Sequence, residues 1–190
     1  MIAMPLTRLD VCAMSDGAAA CLLTSEEGVK KIEKMRGRPI RPVKITGVGS
    51  GIDAMRMADR PHCSFDEFYK LYALSPEGSR ETRRYYKELW KRGFRYPGVH
   101  SFRSGRMASK SAYKMANIAD PYELSFIELH DAYTSSEMQT CEDMGLCRYG
   151  ESGELMNGGS TFMPNIDYGL EFKRPQKRPF LPVNPSGGLL

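Results

Sequence analysis

The sequence predicts an α/β fold in which helices pack on a sheet, and two observations lead to this. Segments with strand-like and helix-like patterns alternate along the chain, in the order strand, helix, strand, helices, strand, helix, strand, which is typical of layered α/β folds with some parallel pairing. The 190 residues are 41% hydrophobic and 26% charged, enough to bury a core and to exclude a wholly disordered chain.

Four short apolar runs are the predicted strands. The first lies within residues 9–23 and ends in small residues, and the second is Val43–Val48, which ends among the glycines 47, 49 and 51. The third is Leu124–Leu129, and the fourth begins at Leu181 and leads into a glycine turn. Residues 148–180 are rich in glycine, proline and charge, and we predict a long surface loop there.

Apolar residues at helical spacing and capping signals predict the helices. Thr24 with Glu27 predicts a helix through about Met35, and Ser64 with Glu67 predicts a helix over 65–74. Thr134 with Glu137 predicts the start of a further helix. Two more helices are expected over 80–92 and 105–116.

The charge of the chain is unevenly distributed. Residues 60–114 contain 13 lysines and arginines against 5 acidic residues, a balance of +8, whereas the rest of the chain carries −4. Such a segment favours an anionic partner, which would be a nucleic acid, a phosphorylated cofactor or an acidic protein surface, or it is a solvated helix face. Tyr85, Tyr86, Leu89 and Trp90 form one stripe of a helix and no nucleic-acid-binding motif accompanies them, so we predict no nucleic-acid partner.

Several classes of protein are not expected. No apolar run approaches the roughly 20 residues of a membrane span, and the first residues do not have the pattern of a signal peptide. The five cysteines show no C-x-x-C spacing, so neither a disulfide framework nor a metal site is predicted, and the expected compartment is the cytoplasm.

His130 is the candidate catalytic residue. It follows the predicted strand Leu124–Leu129 and directly precedes a helix, and ligand crevices in open α/β sheets lie outside such strand ends. A neutral imidazole there can donate a hydrogen bond to a substrate oxygen or hold a water that does so. The alternative is a structural histidine whose hydrogen bonds are satisfied by Asp131 or by backbone.

Three segments, in order, resemble the C-terminal part of the thiolase superfamily. The first is Asp10-Val-Cys-Ala-Met-Ser-Asp-Gly-Ala-Ala-Ala20 with Ser25-Glu-Glu, similar to the family's "SDGAAA…SEE" element. The second is Phe126-Ile-Glu-Leu-His-Asp-Ala-Tyr-Thr134 with Glu137 and Gly145-Leu-Cys147, similar to the "HDAFT…E…LGLC" element of sterol-carrier-protein and archaeal thiolases, where other thiolases carry "NEAF". The third, Pro182-Val-Asn-Pro-Ser-Gly-Gly-Leu189, resembles the turn that leads to the family's "GHP" histidine.

The resemblance implies an incomplete thiolase-like layered fold with helices on a mixed sheet. Residues 1–36 would be the end of the N-terminal thiolase half and a linker, and residues 37–190 a partial C-terminal thiolase domain. A basic helical insertion at about residues 60–103 has no counterpart in the core pattern of the family.

The resemblance also implies an acyltransferase that makes or breaks a carbon–carbon bond in 3-oxoacyl-CoA or acetyl-CoA, with coenzyme A as substrate and no covalently bound cofactor. His130 falls on the family's oxyanion-hole position, and 15–20 match the segment near the pantetheine, while the substrate-binding residues themselves are not specified. The family's nucleophilic cysteine, GHP histidine and second cysteine would lie outside residues 1–190, so we expect a fragment or one subunit of a split enzyme that is inactive alone.

The resemblance leaves two alternatives and predicts several partners. One alternative is a lipid-transfer-protein-like aldolase that cleaves 3-hydroxyacyl-CoA with Tyr133 in proton transfer, and the other is a non-catalytic binding subunit. Expected partners are the acyl-CoA substrate, the remaining thiolase portion or subunits, and a small zinc-ribbon/OB-fold protein that handles coenzyme A. We also expect an oligomer, because a half-built layered fold leaves apolar faces uncovered.

Overall fold

The computed structural model describes residues 4–72, 80–170 and 179–189, and this part of the chain is helical. Its α-helices are α1 (Glu26–Arg36), α2 (Phe65–Tyr72), α3 (Arg80–Lys91), α4 (Arg103–Ala116), α5 (Thr134–Asp143) and α6 (Ser152–Asn157). Single 3₁₀ turns occur at Arg8–Asp10, Met57–Asp59 and Pro121–Glu123. Among these described residues, no helix is long and apolar enough to cross a membrane.

The predicted α/β fold with helices on a mixed sheet is wrong for the residues that the structure describes. They contain no sheet, only an antiparallel bridge between Val11 and Tyr133 and a parallel bridge between Ile127 and Val183. A strand requires a neighbouring backbone to complete its ladder of hydrogen bonds. The apolar run 43–48 has no such neighbour among the described residues, and the run 124–129 has a single bridge.

The chain divides into two compact units. Met14–Thr46 forms the smaller unit, and the residues up to Ala13 together with those from Gly47 onward form the larger one. In the smaller unit α1 begins after Ser25, whose hydroxyl accepts from the amide of Gly28 at 3.2 Å, so the predicted Thr24 cap is wrong by one residue. The predicted boundary between residues 36 and 37 stays a prediction.

The basic segment builds the first of two cores in the larger unit. Helices α2 and α3 were expected over 65–74 and 80–92, and both begin at the expected residue. The helix α3 ends one residue before its expected end, whereas residues 73 and 74 lie outside the described residues. The Ser64–Glu67 capping box is confirmed, because each residue's backbone amide donates to the other's side chain. The core that these helices enclose is mostly aromatic: Phe68, Tyr69, Tyr86, Leu89, Tyr96 and Tyr149.

The second core lies around α5 and α6. The helix α6 lies within the region that we predicted to be a surface loop, so the loop prediction is wrong there. The buried members of this core are Ile127, Cys141, Leu146, Cys147, Leu155 and Leu181. The bridge between Ile127 and Val183 brings the last described segment of the chain against this core.

Alternate glycines bring the segment 47–51 against the backbone of α4. A Cβ atom on Gly49 would lie 1.8 Å from the carbonyl oxygen of Ala108, and one on Gly51 would lie 2.0 Å from that of Ser104. Only a residue without a side chain permits this approach. These glycines therefore serve helix packing.

A buried polar cluster joins α4 to α5. The guanidinium of Arg106, which is 1% exposed, donates to the carbonyl oxygen of Glu142 at 2.8 Å and lies 3.8 Å from the carboxylate of Asp143. That carboxylate also accepts from the hydroxyl of Ser101 at 2.7 Å and from the amide of Phe102 at 3.0 Å. Burial raises the pKa of Asp143, and these hydrogen bonds and Arg106 oppose the rise.

Candidate functional site

The candidate site begins where the segment 127–134 meets the segment 182–189. The amide of Ile127 donates to the carbonyl oxygen of Pro182 at 2.9 Å, and the amide of Asn184 donates to the carbonyl oxygen of Ile127 at 2.8 Å. The side-chain oxygen of Asn184 accepts from the amide of Leu129 at 2.8 Å. These bonds fix the Asn-Pro-Ser-Gly-Gly turn beside the residues that precede α5.

Asp131 holds the turn from the other side. Its side chain is buried, and its carboxylate accepts from the Asn184 Nδ2 and from the amide of Leu189, both at 2.9 Å. Gly188 lies against this carboxylate with a φ of +66°, and a Cβ there would lie 2.1 Å from Asp131 Oδ2. Both the left-handed backbone and the close approach require glycine at this position.

The start of α5 is anchored by a segment near the beginning of the chain. The amide of Cys12 donates to the carbonyl oxygen of Ala132 at 3.1 Å, and the hydroxyl of Thr134 donates to Asp10 at 3.2 Å. The N-cap of α5 is Tyr133, which makes no side-chain capping bond, so the predicted capping box of Thr134 and Glu137 is wrong. The hydroxyl of Thr134 is used in this long-range contact instead.

His130 lies between these anchored residues with its side chain exposed. The alternative is a histidine satisfied by Asp131 or by backbone, but among the described residues no hydrogen bond joins the His130 imidazole to either. The Asp131 carboxylate accepts from Asn184 and Leu189. The imidazole is thus exposed, while hydrogen bonds of Leu129 and Ala132 hold the backbone on either side of it. Its catalytic role stays a prediction.

An open pocket of about 830 Å³ adjoins this junction. Thr134, Glu137 and Met138 line it from α5, and Asn184, Pro185 and Gly187 line it from the turn. Most of the remaining lining is apolar: Met156, Asn157, Thr161, Phe162, Met163, Ile166, Tyr168, Leu170, Pro182 and Val183. A pocket of this volume, apolar with a few polar groups, is typical of small-molecule sites.

Glu137 is the acidic residue of the pocket lining. Its side chain is half-buried, and among the described residues no hydrogen bond to its carboxylate is found. Burial raises the pKa of Glu137, and the nearby charge of Asp131 raises it further. The sequence singled out Glu137 only as a helix cap and as part of the resemblance, and it did not single out Asp131 and Asn184 for their roles at this site.

His130 and Tyr133 precede Thr134 and are not themselves among the residues that line this pocket, and the cysteines, His62 and His100 also lie outside the lining. Cys141 and Cys147 are buried in the second core, and burial raises the pKa of the Cys141 thiol, which disfavours a thiolate. His62 is exposed, and burial lowers the pKa of the half-buried His100. Among the residues that the structure describes, no group of three or more His, Cys, Asp or Glu side chains could hold a metal ion.

The residues 15–20, which the resemblance assigns to the pantetheine segment, lie in the smaller unit and are exposed. Of the basic residues of α3, the side chain of Arg83 pairs with Asp66 at 2.5 Å and stacks over the rings of Phe65 and Tyr69. The other basic residues of the segment 80–92 that the charge analysis singled out are exposed: Arg80, Arg84, Lys87, Lys91 and Arg92.

Comparison with known proteins gives the family. The family model described as thiolase C-terminal domain-like matches residues 95–165, which include α4, α5, α6 and His130. The chain belongs to the thiolase superfamily and corresponds to its C-terminal part. The prediction from the three motifs is thus confirmed.

Individual relatives of this thiolase-superfamily chain agree with the assignment. Sterol carrier protein 2 of Oryctolagus cuniculus is 30% identical over 185 residues, which cover 97% of this chain and 24% of that protein. Acetyl-CoA acetyltransferase of Methanocaldococcus jannaschii is 34% identical over 91 residues, 48% of this chain and 20% of that protein. Benzoylsuccinyl-CoA thiolase subunit BbsB of Thauera aromatica is 25% identical over 163 residues, 85% of this chain and 31% of that protein. The chain spans about a quarter of the length of the first of these relatives.

Proposed function

We propose that this chain is part of a thiolase-like acyltransferase that acts on acyl-CoA thioesters, with 3-oxoacyl-CoA or acetyl-CoA as the substrate class. The observation that carries the proposal is the pocket of about 830 Å³ beside the His130–Thr134 segment. Half of its lining residues, from Thr134 to Met163, lie within residues 95–165, which match the thiolase family model. The names of the relatives support it, because one is an acetyl-CoA acetyltransferase and another a benzoylsuccinyl-CoA thiolase subunit.

The lining of the pocket suits the acyl part of such a substrate. Met138, Met156 and Phe162 offer apolar surface, and methionine side chains adapt to chains of different shape. Each methylene group that leaves water contributes about 0.8 kcal/mol. Affinity should therefore rise with acyl length until the pocket is filled.

His130 supplies the polar function in this proposal. Its imidazole donates a hydrogen bond to the thioester oxygen and stabilises the negative charge that develops there, while Asp131 fixes the turn beside it. In the complete protein, His130→Ala should lower kcat about 10²–10³-fold. His130→Asn, which keeps a donor, should retain more activity, and His62→Ala, at an exposed histidine, should retain all of it.

The aldolase is a second candidate, and one observation favours it. Tyr133, next to His130, has a side chain that is 44% exposed and able to meet a substrate hydroxyl. Cleavage of a 3-hydroxyacyl-CoA by the complete protein, abolished in Tyr133→Phe, would establish this reaction. Thiolysis of a 3-oxoacyl-CoA that is unaffected by Tyr133→Phe would establish the acyltransferase.

The binding step is tested on the 190-residue chain by calorimetric titration with a series of saturated acyl-CoAs. Met138→Asp places a charge in the pocket and should weaken binding at least tenfold, since burial of an unpaired carboxylate is costly. Met55→Asp is the matched control, because Met55 is fully exposed and does not line the pocket. Equal affinities of the two variants, or affinity independent of acyl length, would contradict the proposal.

A further inference from the structure

A second pocket, of about 410 Å³, lies between α2 and α4 and plays no part in the acyl-CoA proposal. Three cationic side chains line it, Lys70 from α2 and Arg103 and Lys110 from α4. The lining contains one carboxylate, that of Glu67. Positive charge of the basic segment therefore surrounds a concave surface at this pocket.

Two of the cations are held in place by their neighbours. The guanidinium carbon of Arg103 lies 5.7 Å from the centroid of the Tyr96 ring, a cation–π distance. The ammonium of Lys110 donates to the carbonyl oxygen of Lys70 at 2.6 Å. Among the residues that the structure describes, neither Lys70 nor Arg103 has a carboxylate within ion-pair distance. Their charge is thus not neutralised by an ion pair within the described chain.

The other titratable groups of the lining do not cancel this charge. The Glu67 carboxylate accepts from the amide of Ser64 at 2.7 Å and from its hydroxyl at 3.0 Å, and these bonds lower the pKa of Glu67, so it carries one negative charge. Burial and the charge of Glu67 raise the pKa of the Cys63 thiol, which is therefore neutral at about pH 7. The three lysine and arginine cations and the one carboxylate of the lining sum to a formal charge of +2.

We propose that this pocket binds the phosphate group of a small phosphorylated compound, a phosphate monoester or a pyrophosphate. The planar guanidinium of Arg103 matches two phosphate oxygens, and Lys70 and Lys110 add point charges. Pro61, Leu71 and the Tyr96 ring line the same pocket and offer apolar surface to the organic part of the ligand. The site is independent of the acyl pocket, since the two share no lining residue.

The test is calorimetric titration of the 190-residue chain with inorganic phosphate, pyrophosphate and adenosine 3′,5′-bisphosphate at low ionic strength. Arg103→Gln should weaken binding about tenfold or more, because a charge-assisted bond to phosphate is lost. Arg92→Gln is the matched control: it makes the same change of charge in the same segment, at an exposed residue outside the pocket lining. Its affinity should equal that of the wild type.

Glu67→Gln gives a test in the opposite direction. Glutamine can still complete the capping box with Ser64 while it removes the one negative charge of the pocket, so phosphate affinity should rise about threefold or more. If circular dichroism shows that Arg103→Gln does not fold, the phosphate affinity of Glu67→Gln still tests the proposal.

The outcomes separate the sources of the ligand. Tight binding of the bisphosphate alone would assign the site to a nucleotide phosphate ester, whereas equal binding of inorganic phosphate would assign it to the phosphate group itself, and either supports the proposal. No binding of any probe, equal weakening in Arg103→Gln and Arg92→Gln, or no gain in Glu67→Gln would overturn it. None of these results bears on acyl-chain binding, which is measured with Met138→Asp.

Discussion

Replacement of Asp131 by alanine should destabilise the larger unit, and the structure gives the size of the effect. The carboxylate, 3% exposed, accepts two hydrogen bonds, from Asn184 Nδ2 and from the amide of Leu189. A hydrogen bond to a charged group contributes about 1.5–3 kcal/mol when it is buried. Because the turn is partly exposed, and because loss of the charge relieves repulsion of Glu137, we expect a net loss of about 2–4 kcal/mol.

Urea unfolding measures this loss as a lower transition midpoint with an unchanged slope. Asp131→Asn should lose less, since the amide keeps an acceptor oxygen for one of the two donors, which bond to different oxygens of the carboxylate. Asp59→Ala is the control, because Asp59 is exposed and its side chain makes no hydrogen bond with the described residues, and it should change the free energy of unfolding by less than about 0.5 kcal/mol.

Hydrogen exchange locates the effect within the chain. In Asp131→Ala, the amides of Leu129 and Leu189 should exchange faster, because both are bonded through the turn that Asp131 holds. A loss below about 0.5 kcal/mol, or unchanged exchange of both amides, would refute the description of Asp131 as the anchor of the turn.

Three further predictions concern packing and titration. Gly49→Ala should destabilise the chain by about 3 kcal/mol in urea unfolding, because its Cβ would overlap the backbone of Ala108, while Gly17→Ala, with open space around it, should not. Because the pKa of Glu137 is raised in the native state, the wild type should lose stability as pH rises through that pKa. Glu137→Gln should therefore become more stable relative to the wild type with rising pH, and a difference that does not change with pH would contradict this. Burial raises the pKa of Tyr113 to about 12, so stability should fall between about pH 10 and 12, and tyrosinate absorbance of Tyr113→Phe should lack a group that titrates near 12.

The helices were largely predictable because their signals are local. The aromatic stripe of α3 and the Ser64–Glu67 capping box are each formed by residues only a few positions apart, and both are found in the structure. The prediction failed where a distant residue competes for a capping side chain. The hydroxyl of Thr134 donates to Asp10, 124 residues away, which no local pattern indicates.

The predicted sheet failed for a related reason. An apolar run indicates a segment that is able to form a strand, but a ladder needs a partner whose position is not encoded in that run. The run 124–129 has one bridge, to Val183, and the run 43–48 has none among the described residues. The pattern predicts that the glycines at 47, 49 and 51 end a strand, but in the structure they allow this segment to pack closely against the backbone of α4.

The candidate site was predictable in part. His130 was singled out from the sequence, and the resemblance placed it in a thiolase-like element that the family match supports. The anchors around it were missed, because Asp131 contacts residues more than 50 positions away. The Asn-Pro-Ser-Gly-Gly motif was the available signal, since Asn184 and Gly188 both have positive φ and both lie at the Asp131 carboxylate.

The most direct test of the proposed acyl-CoA site is photo-crosslinking with an acyl-CoA that carries a diazirine at the end of its acyl chain. After irradiation of the 190-residue chain and proteolysis, mass spectrometry identifies the labelled peptides. The label should lie on residues of the pocket lining, around Met138, Met156 and the segment 161–170, and excess unlabelled acyl-CoA should suppress it. Label confined to α1, α2 or α3, or label that excess acyl-CoA does not suppress, would contradict the proposed function.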